Sequence, residues 1–248
     1  DAIHENTIRG MYILGENPAM SDPDLNHARE ALQMLDHLVV QDIFLTETAT
    51  YADVIFPASA WPEKNGTATN TNRQVQMGRK AIDAPGDAKE DWWITNELGK
   101  RMGLAWKYEH PSEIYEEMSK TMPSLNNITW DRLENENSVT YPSRSPTTPG
   151  DEIVFGDKFP NETGRGKFVP ASVTSPNEVP DEEFEMILTT GRQLEHWHTG
   201  AMTRKASNLD AIEPEATVSI SPSEILKKNM KPGDEIKVST RRGSIKIR

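Results

Sequence analysis

The sequence contains no cysteine, and this absence excludes several kinds of chemistry from its 248 residues. Without thiols, the chain has no disulfide framework, no cysteine nucleophile and no thiolate ligand for iron–sulfur clusters, molybdenum or zinc. It also lacks an apolar run long enough to cross a membrane, and its first residues do not resemble a signal peptide. We therefore expect no membrane contact and a stability that comes from packing alone.

Positive charge is scarce as well. The chain has 27 Lys and Arg residues against 39 Asp and Glu residues, which gives a formal net charge of −12. General nucleic-acid binding requires a basic face that neutralises phosphates, so nucleic acid is not an expected partner. The deficit still allows a local pocket for an anion such as a nucleotide. The length suffices for one large domain or two modest ones.

Several common functional motifs are also missing. The chain has no G-x-G-x-x-G run, no Walker lysine pattern and no G-x-S-x-G elbow, so ordinary NAD or ATP binding and nucleophilic catalysis are not indicated. His196 and His198 alternate, but two imidazoles without a third partner are a weak metal signal. We predict no metal ligand and no catalytic residue. The residues themselves indicate a binding module for a large polar anion.

The first part of the chain predicts a parallel α/β unit. Apolar strands at residues 11–14 and 38–40 flank an amphipathic helix at 25–35, and a further strand is predicted at 53–57. Ligands of open parallel sheets bind beyond the carboxyl ends of the strands. We therefore expect one rim to hold the polar loops after these strands: residues 15–17, Gln41 and Asp42, and the chain from Ala58 onward.

The middle of the chain predicts a polar loop and three helices. Residues 61–76 have little apolar periodicity, and Asn65-Gly66 is a turn signal. Asp91 starts the first helix, Ser112 caps the second, and a short third piece begins at Trp130. The Asp91 carboxylate has two possible roles. It can cap its helix, or it can accept from the N1–H and exocyclic amine of a guanine.

The last part of the chain predicts mainly β-structure. Residues 134–180 are interpreted as a connection pinned by short strands at 153–155 and 167–169. Beyond Phe184, a helix is expected after Ser221, and strands are expected at 186–188, 216–220, 235–239 and 244–248. This order suits the start of a closed β-barrel.

One run, GRQLEHWHTG at residues 191–200, resembles a signature of the molybdopterin oxidoreductase (DMSO reductase) family. Other runs occur in the order typical of that family: GENPA at 15–19, VQDIFLTETA at 40–49, ADVIFPA at 52–58 and DWW at 91–93. The similarity extends over nearly the whole chain. Within the family, the chain most resembles the alpha subunits of cytoplasmic NAD-linked formate dehydrogenases. Nitrate reductases share most of these motifs.

This resemblance implies an α/β fold with a Rossmann-like parallel-sheet domain at residues 2–134, an interdomain connection at 135–182 and part of a double-psi β-barrel domain at 183–248. It also implies a bis(molybdopterin guanine dinucleotide) cofactor. The residues that match the family's guanosine, ribose and phosphate contacts are Gly15, Glu16, Asn17, Ser21, Gln41 and Asp42. Asp91 matches the acid that reads a guanine edge, while Arg192, Gln193 and His196 match the loop that reaches the pterin and a phosphate.

The implied activity of the intact subunit is oxidation of formate to carbon dioxide at Mo or W. Electrons would pass through iron–sulfur and flavin subunits to NAD in the cytoplasm. The alternatives are a nitrate reductase fragment and a non-catalytic nucleotide-binding module.

The family's metal-binding Cys or selenocysteine and its cluster cysteines belong to sequence before Asp1. The chain is therefore expected to be a fragment that needs the remainder of the alpha subunit. Alone, it is expected to be inactive and to hold no cofactor. Residues 244–248 are expected to form a barrel strand that is cut short and has an unpaired edge. Self-association through this edge is therefore also expected.

Overall fold

The chain opens with a parallel sheet in this computed structural model, which describes all residues from Asp1 to Arg248. The strands β1 (Gly10–Leu14), β2 (His37–Asp42) and β3 (Val54–Pro57) lie in the order β1-β2-β3. Both pairs run parallel. Helices α1 (Pro18–Ser21) and α2 (Leu25–Met34) connect the first two strands. The predicted parallel βαβ unit is confirmed.

Helix α2 packs against this sheet through one apolar stripe. Its buried residues are Ala31 and Leu32, which follow the helical spacing of the apolar residues in this segment. Leu32 shares a core with Ile13, Ala19, Leu38, Val40 and Ala49. Val40 is fully buried, because β2 is the middle strand and has a partner on each side. The carboxyl end of β2 is thereby fixed in position.

The predicted loop at residues 61–76 is wrong in part, because a β-hairpin occupies much of it. Strands β4 (Gly66–Thr69) and β5 (Gln74–Gly78) pair antiparallel, and β6 (Ser138–Thr140) adds to the other edge of β5. The chain reverses at Asn70–Arg73, where the Arg73 amide donates to the Asn70 carbonyl at 3.0 Å. Asn65-Gly66 instead leads into the hairpin. Val75 is the only buried residue of β4 and β5, so these two strands carry almost no hydrophobic signal.

Three helices follow this hairpin, and the last two build a second core beside it. They are α3 (Asp91–Arg101), α4 (Pro111–Thr121) and α5 (Trp130–Glu136). The buried residues of this core come from the hairpin sheet, from α4 and α5 and from their connection: Val75, Tyr115, Leu125, Ile128, Trp130, Leu133 and Val139. The Tyr115 hydroxyl donates to the Ile128 carbonyl at 2.7 Å, and burial raises the pKa of Tyr115 to about 12. The three predicted helices are confirmed.

The predicted Ser112 cap is wrong, and of the two roles left open for Asp91 the helix cap is not observed. Helix α3 has Glu90 at its N-cap position without a side-chain cap, and the Asp91 carboxylate bonds to other partners. Helix α4 is capped by His110, whose Nδ1 accepts from the Ser112 amide at 3.2 Å. Helix α3 begins at Asp91 as predicted, whereas the N-cap of α4 lies two residues before Ser112. Met102, the C-cap residue of α3, is 74% exposed.

Two arginines hold the chain after β6 against the second core. Arg132, only 8% exposed, donates to Glu136 and to the carbonyls of Asn127, Ser145 and Thr148. Arg73 donates to the carbonyls of Tyr141, Asp151 and Glu152. These guanidinium groups satisfy carbonyls that have no strand or helix partner. Residues 141–152 are thus fixed without regular secondary structure.

Four predicted strands are absent, at residues 153–155, 167–169, 186–188 and 216–220. A strand requires a neighbour with which it forms a ladder of hydrogen bonds, and none of these segments forms such a ladder. Val218 shows this best, because its amide makes a single bond of 2.7 Å to the Arg248 carbonyl and no ladder follows. Their apolar side chains are largely exposed, including Ile187 at 73%. Apolar composition therefore overestimated β-structure in this part of the chain.

The end of the chain contains α6 (Ser207–Ile212), α7 (Pro222–Lys227) and a hairpin of β7 (Ile236–Thr240) and β8 (Gly243–Ile247). The predicted helix after Ser221 is confirmed, and Ser221 caps it by accepting from the Glu224 amide at 3.4 Å. The two predicted strands of the hairpin are also confirmed, and side chains of β7 alternate between half-buried and exposed. The α/β fold class is confirmed. The longest helices have 11 residues, and none has the length and hydropathy required to cross a bilayer.

Replacing Arg132 should release residues 143–148 from the second core. In Arg132→Met, three backbone carbonyls lose a charged donor, and we expect a loss of roughly 2–4 kcal/mol in the free energy of unfolding. Urea denaturation would measure the loss, and amide hydrogen exchange should be accelerated at residues 143–148. Arg101→Met is the control, since Arg101 is exposed and pairs only with Glu97 in its own helix. Equal losses in both variants would contradict the assignment.

Candidate cofactor-binding site

Gly15 and Gln41 meet at the carboxyl ends of β1 and β2. The Gly15 amide donates to the Gln41 carbonyl at 2.9 Å, and Gly15 has a φ of +64°. A side chain would meet no atom there, so the backbone conformation, not space, favours glycine at this position. The predicted convergence of these two loops is observed.

Asp91 joins the same rim through its side chain. Gln41, fully buried, donates from Nε2 to Asp91 Oδ1 at 2.7 Å and accepts from the Tyr12 hydroxyl at Oε1. Lys64 donates from Nζ to Asp91 Oδ2 and to the Ser59 carbonyl at 2.9 Å. We call these five residues the rim network. It links the ends of all three parallel strands to the first residue of α3.

The environment of the rim network also favours the protonated form of the Tyr12 hydroxyl. Burial, and to a smaller extent the negative charge of Asp91, raises the pKa of the Tyr12 hydroxyl. The hydroxyl therefore stays protonated near neutral pH and donates to Gln41. With its oxygen occupied, the Gln41 amide must direct its NH₂ group toward Asp91.

Asn17 uses its side chain inside the protein. Its Oδ1 accepts from the Thr48 amide at 3.1 Å and from the Thr48 hydroxyl at 2.8 Å, while Nδ2 donates to Glu47 Oε2 at 2.8 Å. Asn17 is 7% exposed. These bonds fasten the loop after β1 to the 3₁₀ turn Thr48–Tyr51. The Asn17 side chain thus shapes the loop and is not directed at solvent.

The other predicted residues of this rim are more accessible. Glu16 and Ser21 are exposed, and Asp42 is half-buried. Asp42 Oδ1 accepts from the Phe44 amide at 3.2 Å, and the Ser21 amide donates to the Asn17 carbonyl at 3.0 Å. Neither the Glu16 carboxylate nor the Ser21 hydroxyl has a protein partner. These groups could contact a polar ligand.

The second predicted loop is held by His196. Its Nε2 lies 2.7 Å from the Glu213 carbonyl, which can only accept, so Nε2 is the donor of this bond, and Nδ1 lies 3.3 Å from Thr203 Oγ1. Gln193 Nε2 lies 3.5 Å from Glu213 Oε2. Arg192 is exposed and makes no hydrogen bond or ion pair. Only Arg192 of the three is entirely available to an anion.

Lys205 brings the two loops close to each other. Its Nζ lies 5.0 Å from the centre of the Phe44 ring, which follows the end of β2. The pKa of Glu47 is lowered mainly by the hydrogen bond from Asn17, with a smaller contribution from the charge of Lys205. Arg192, Gln193 and His196 themselves form no hydrogen bond to the rim network.

Sequence reasoning missed several residues of this site. Tyr12, Ser59, Lys64, Glu47 and Lys205 all contact or adjoin a predicted residue. Lys64 could have been identified from the sequence, because it is a cation within the polar loop predicted at residues 61–76. The others required knowledge of which distant segments meet.

The cleft beside Asp91 can be compared with the shape and hydrogen-bonding groups of a nucleotide base. Asp91 and Lys64 form the polar end of a cleft of about 270 Å³, whose other walls include Trp92, Tyr115 and Trp130. Each Asp91 oxygen has one protein donor and retains a further lone pair. The buried Ser59 Oγ has no partner. A planar base with adjacent N–H donors fits a carboxylate beside aromatic walls.

The hydrogen bond between Asn17 and Glu47 predicts an effect of pH. Because the pKa of the Glu47 carboxyl is depressed in the folded protein, this group stabilises the fold at pH values above its ordinary pKa. The contribution is lost as pH falls through the folded-state pKa of Glu47. Asn17→Asp puts two carboxylates in contact, and we expect a loss of roughly 1–3 kcal/mol at pH 7. Urea denaturation between pH 7 and 3 should reveal a smaller difference from wild type at low pH, where one carboxyl is protonated.

The matched control is the double variant Asn17→Asp with Glu47→Gln. The amide introduced at position 47 can donate to the carboxylate introduced at position 17, so most of the lost stability should return at pH 7. A deficit that is independent of pH, or no recovery in the double variant, would contradict the role of this bond.

Comparison with known proteins supports the sequence resemblance. The molybdopterin oxidoreductase family model matches residues 1–101, and the molydopterin dinucleotide binding domain model matches residues 186–248. The F420-dependent formate dehydrogenase subunit alpha of Methanocaldococcus jannaschii is 44% identical over 240 residues, which is 96% of this chain and 36% of that protein. The F420-dependent formate dehydrogenase 2 subunit alpha of Methanococcus maripaludis is 42% identical, covering 96% of this chain and 35% of that protein.

A solved structure agrees on the fold. Acetylene hydratase from Pelobacter acetylenicus superposes with a TM-score of 0.68 at 19% identity, over 96% of this chain and 34% of that chain. The chain spans about a third of the length of these two curated relatives. The two family matches lie on the two parts of the chain that carry the rim network and the His196 loop. The chain belongs to the molybdopterin oxidoreductase family.

Proposed function

We propose that this chain supplies the dinucleotide-binding part of a formate dehydrogenase alpha subunit. The observation that carries the proposal is the Asp91 carboxylate, which two donors hold in one orientation beside an aromatic cleft. The proposed ligand is bis(molybdopterin guanine dinucleotide). When bound, this cofactor would supply the Mo or W centre for a two-electron oxidation.

The guanine end of the ligand is assigned to the rim network. Guanine presents N1–H and an exocyclic amine side by side, and the two oxygens of Asp91 can accept one hydrogen each. Adenine has no such pair of donors, so the contact would discriminate between purines. Glu16 and Ser21 are exposed on the loop after β1, and Asp42 follows β2. These groups are proposed to bind sugar hydroxyls and further polar atoms.

The phosphate and pterin end is assigned to the second loop. The protein is acidic overall, with a net charge of −12, so phosphates need local cations. Arg192 has an unpaired guanidinium, which can bind a phosphate through two parallel hydrogen bonds. Gln193 adds an amide, and His196 holds the loop by its bonds to Thr203 and Glu213. None of these residues is proposed to take part in the chemical step.

The proposed division of the chain follows these two ends. Residues 2–134 would form the Rossmann-like domain, 135–182 the connection and 183–248 part of the barrel domain. The bonds from Arg73 and Arg132 support a close association of residues 141–152 with the first of these units.

In the whole enzyme, formate would lose two electrons and one proton and leave as carbon dioxide. The residues of this chain bind and orient, so we propose that the chain alone is inactive and depends on the remainder of the subunit. We also propose that the whole enzyme contains iron–sulfur and flavin subunits and that it lies in the cytoplasm. The names of two relatives specify F420. We therefore propose F420, ahead of NAD, as the electron acceptor to test first.

Nitrate reduction is the second candidate reaction. Relatives at 44% and 42% identity are named as formate dehydrogenases, which favours formate. Reduction of nitrate but no oxidation of formate by the whole enzyme would reverse this preference. A non-catalytic nucleotide-binding module would instead be favoured by tight binding of guanine nucleotides to this chain alone.

The Asp91 assignment predicts a selective effect on guanine. We expect the chain to bind GDP weakly, and ADP more weakly still, in an NMR titration at millimolar nucleotide. Asp91→Asn replaces one acceptor oxygen with a donor, so GDP affinity should fall about tenfold, the equivalent of one lost charge-assisted hydrogen bond. ADP affinity should change little.

Asp83→Asn is the matched control, because Asp83 is exposed in the linker before α3 and contacts only Lys80. Its affinity for GDP should equal that of wild type. Equal binding of GDP and ADP by the wild-type chain would contradict the guanine assignment, as would an unchanged GDP affinity in Asp91→Asn.

A further inference from the structure

Lys64 occupies an unusual position for a lysine. Its side chain is only 25% exposed, although lysine side chains are seldom buried unless they are paired. Nζ donates both to Asp91 Oδ2 and to the Ser59 carbonyl, the latter at 2.9 Å. The two acceptors lie in different elements, one at the start of α3 and one just beyond β3. Lys64 thus bridges the sheet and the helix that carries the proposed guanine reader.

Ser59 is a rigid anchor for this lysine. It is fully buried, and its amide donates to the Lys89 carbonyl at 2.8 Å. Ala58 and Lys89 form a parallel bridge beside it. The chain leading into α3 is therefore bound to the end of β3 immediately before Asp91. An ammonium group held on the Ser59 carbonyl has a fixed position relative to Asp91.

The orientation of the Asp91 carboxylate needs such a restraint. The torsion that turns a carboxylate about its Cβ–Cγ bond has a broad energy profile, so a single hydrogen bond leaves the plane poorly defined. Gln41 holds one oxygen and Lys64 holds the other. With both oxygens restrained, their remaining lone pairs lie in a defined plane. A base with two adjacent N–H donors requires both oxygens in its own plane.

We infer that Lys64 is a positioning residue that makes the Asp91 site selective for a base with two adjacent N–H donors. The inference rests on the proposed function of Asp91 as the guanine-reading acid. Lys64 acts through the carboxylate and does not itself touch the base. Loss of the lysine would therefore weaken the contact between Asp91 and the exocyclic amine of the base more than it weakens stacking on the aromatic walls.

Three nucleoside diphosphates separate this role from a merely structural one. GDP offers N1–H and the exocyclic amine, IDP offers N1–H alone, and ADP offers neither arrangement. In the wild-type chain we expect affinity to fall in the order GDP, IDP, ADP. In Lys64→Met, GDP affinity should fall about tenfold, and the ratio of GDP to IDP affinity should approach one. NMR titration measures each affinity on the same sample.

Further variants make the test specific. Lys64→Arg keeps the charge and the donors, so it should restore at least part of the selectivity for GDP over IDP. Lys80→Met is the matched control, because Lys80 pairs only with exposed Asp83, and it should behave as wild type. If Lys64→Met does not fold, as judged by circular dichroism, Lys64→Leu, which also lacks a donor, takes its place with the same expected loss of selectivity.

The remaining outcomes overturn the inference in distinguishable ways. If Lys64→Met weakens GDP, IDP and ADP equally, Lys64 is structural only. If Asp91→Asn loses GDP selectivity while Lys64→Met and Lys64→Leu retain it, the guanine proposal stands without the lysine. If the wild-type chain does not distinguish GDP from ADP, both proposals fail together.

Discussion

The arrangement of the candidate site depends on the side-chain amide of Gln41. This amide is completely buried, and leaving one of its polar atoms unpaired would cost about 1–3 kcal/mol. Tyr12 occupies its oxygen and Asp91 its nitrogen, so the amide connects two neighbouring strands to the start of a helix 50 residues further along the chain. The first residue of α3 is placed by the sheet, and Gly15, Gln41 and Asp91 lie at one rim for that reason.

The convergence itself was predictable from the sequence. Short apolar strands, an amphipathic helix and polar residues after each strand predict a parallel sheet with a ligand-binding rim, and Gly15 and Gln41 are found together there. The dual interpretation of Asp91 could not be resolved in the same way. Whether a carboxylate caps its own helix depends on the backbone conformation just before the helix. Whether it bonds to Gln41 and Lys64 depends on segments that lie far apart in sequence.

Other parts of the fold were beyond sequence reasoning because a strand is defined by its neighbour. The β4–β5 hairpin is polar and buries only Val75, yet it forms because β6 returns to pair with it. Residues 186–188 are apolar and form no strand, since no neighbouring strand adjoins them. Apolar periodicity reports which side chains gain from burial. It contains no information about which backbone groups will find a partner.

Glu47 connects the two halves of the site. It accepts a hydrogen bond from Asn17, which holds the loop after β1, and its pKa is lowered in part by the charge of Lys205, which follows the His196 loop. Movement of Lys205 away from Glu47 would therefore remove a charge that stabilises the carboxylate bound by Asn17. Coupling of this kind is reciprocal, so each end of a bound dinucleotide would raise or lower the affinity for the other end by the same factor. A single carboxylate outside the proposed binding contacts would make the two halves of the site thermodynamically cooperative.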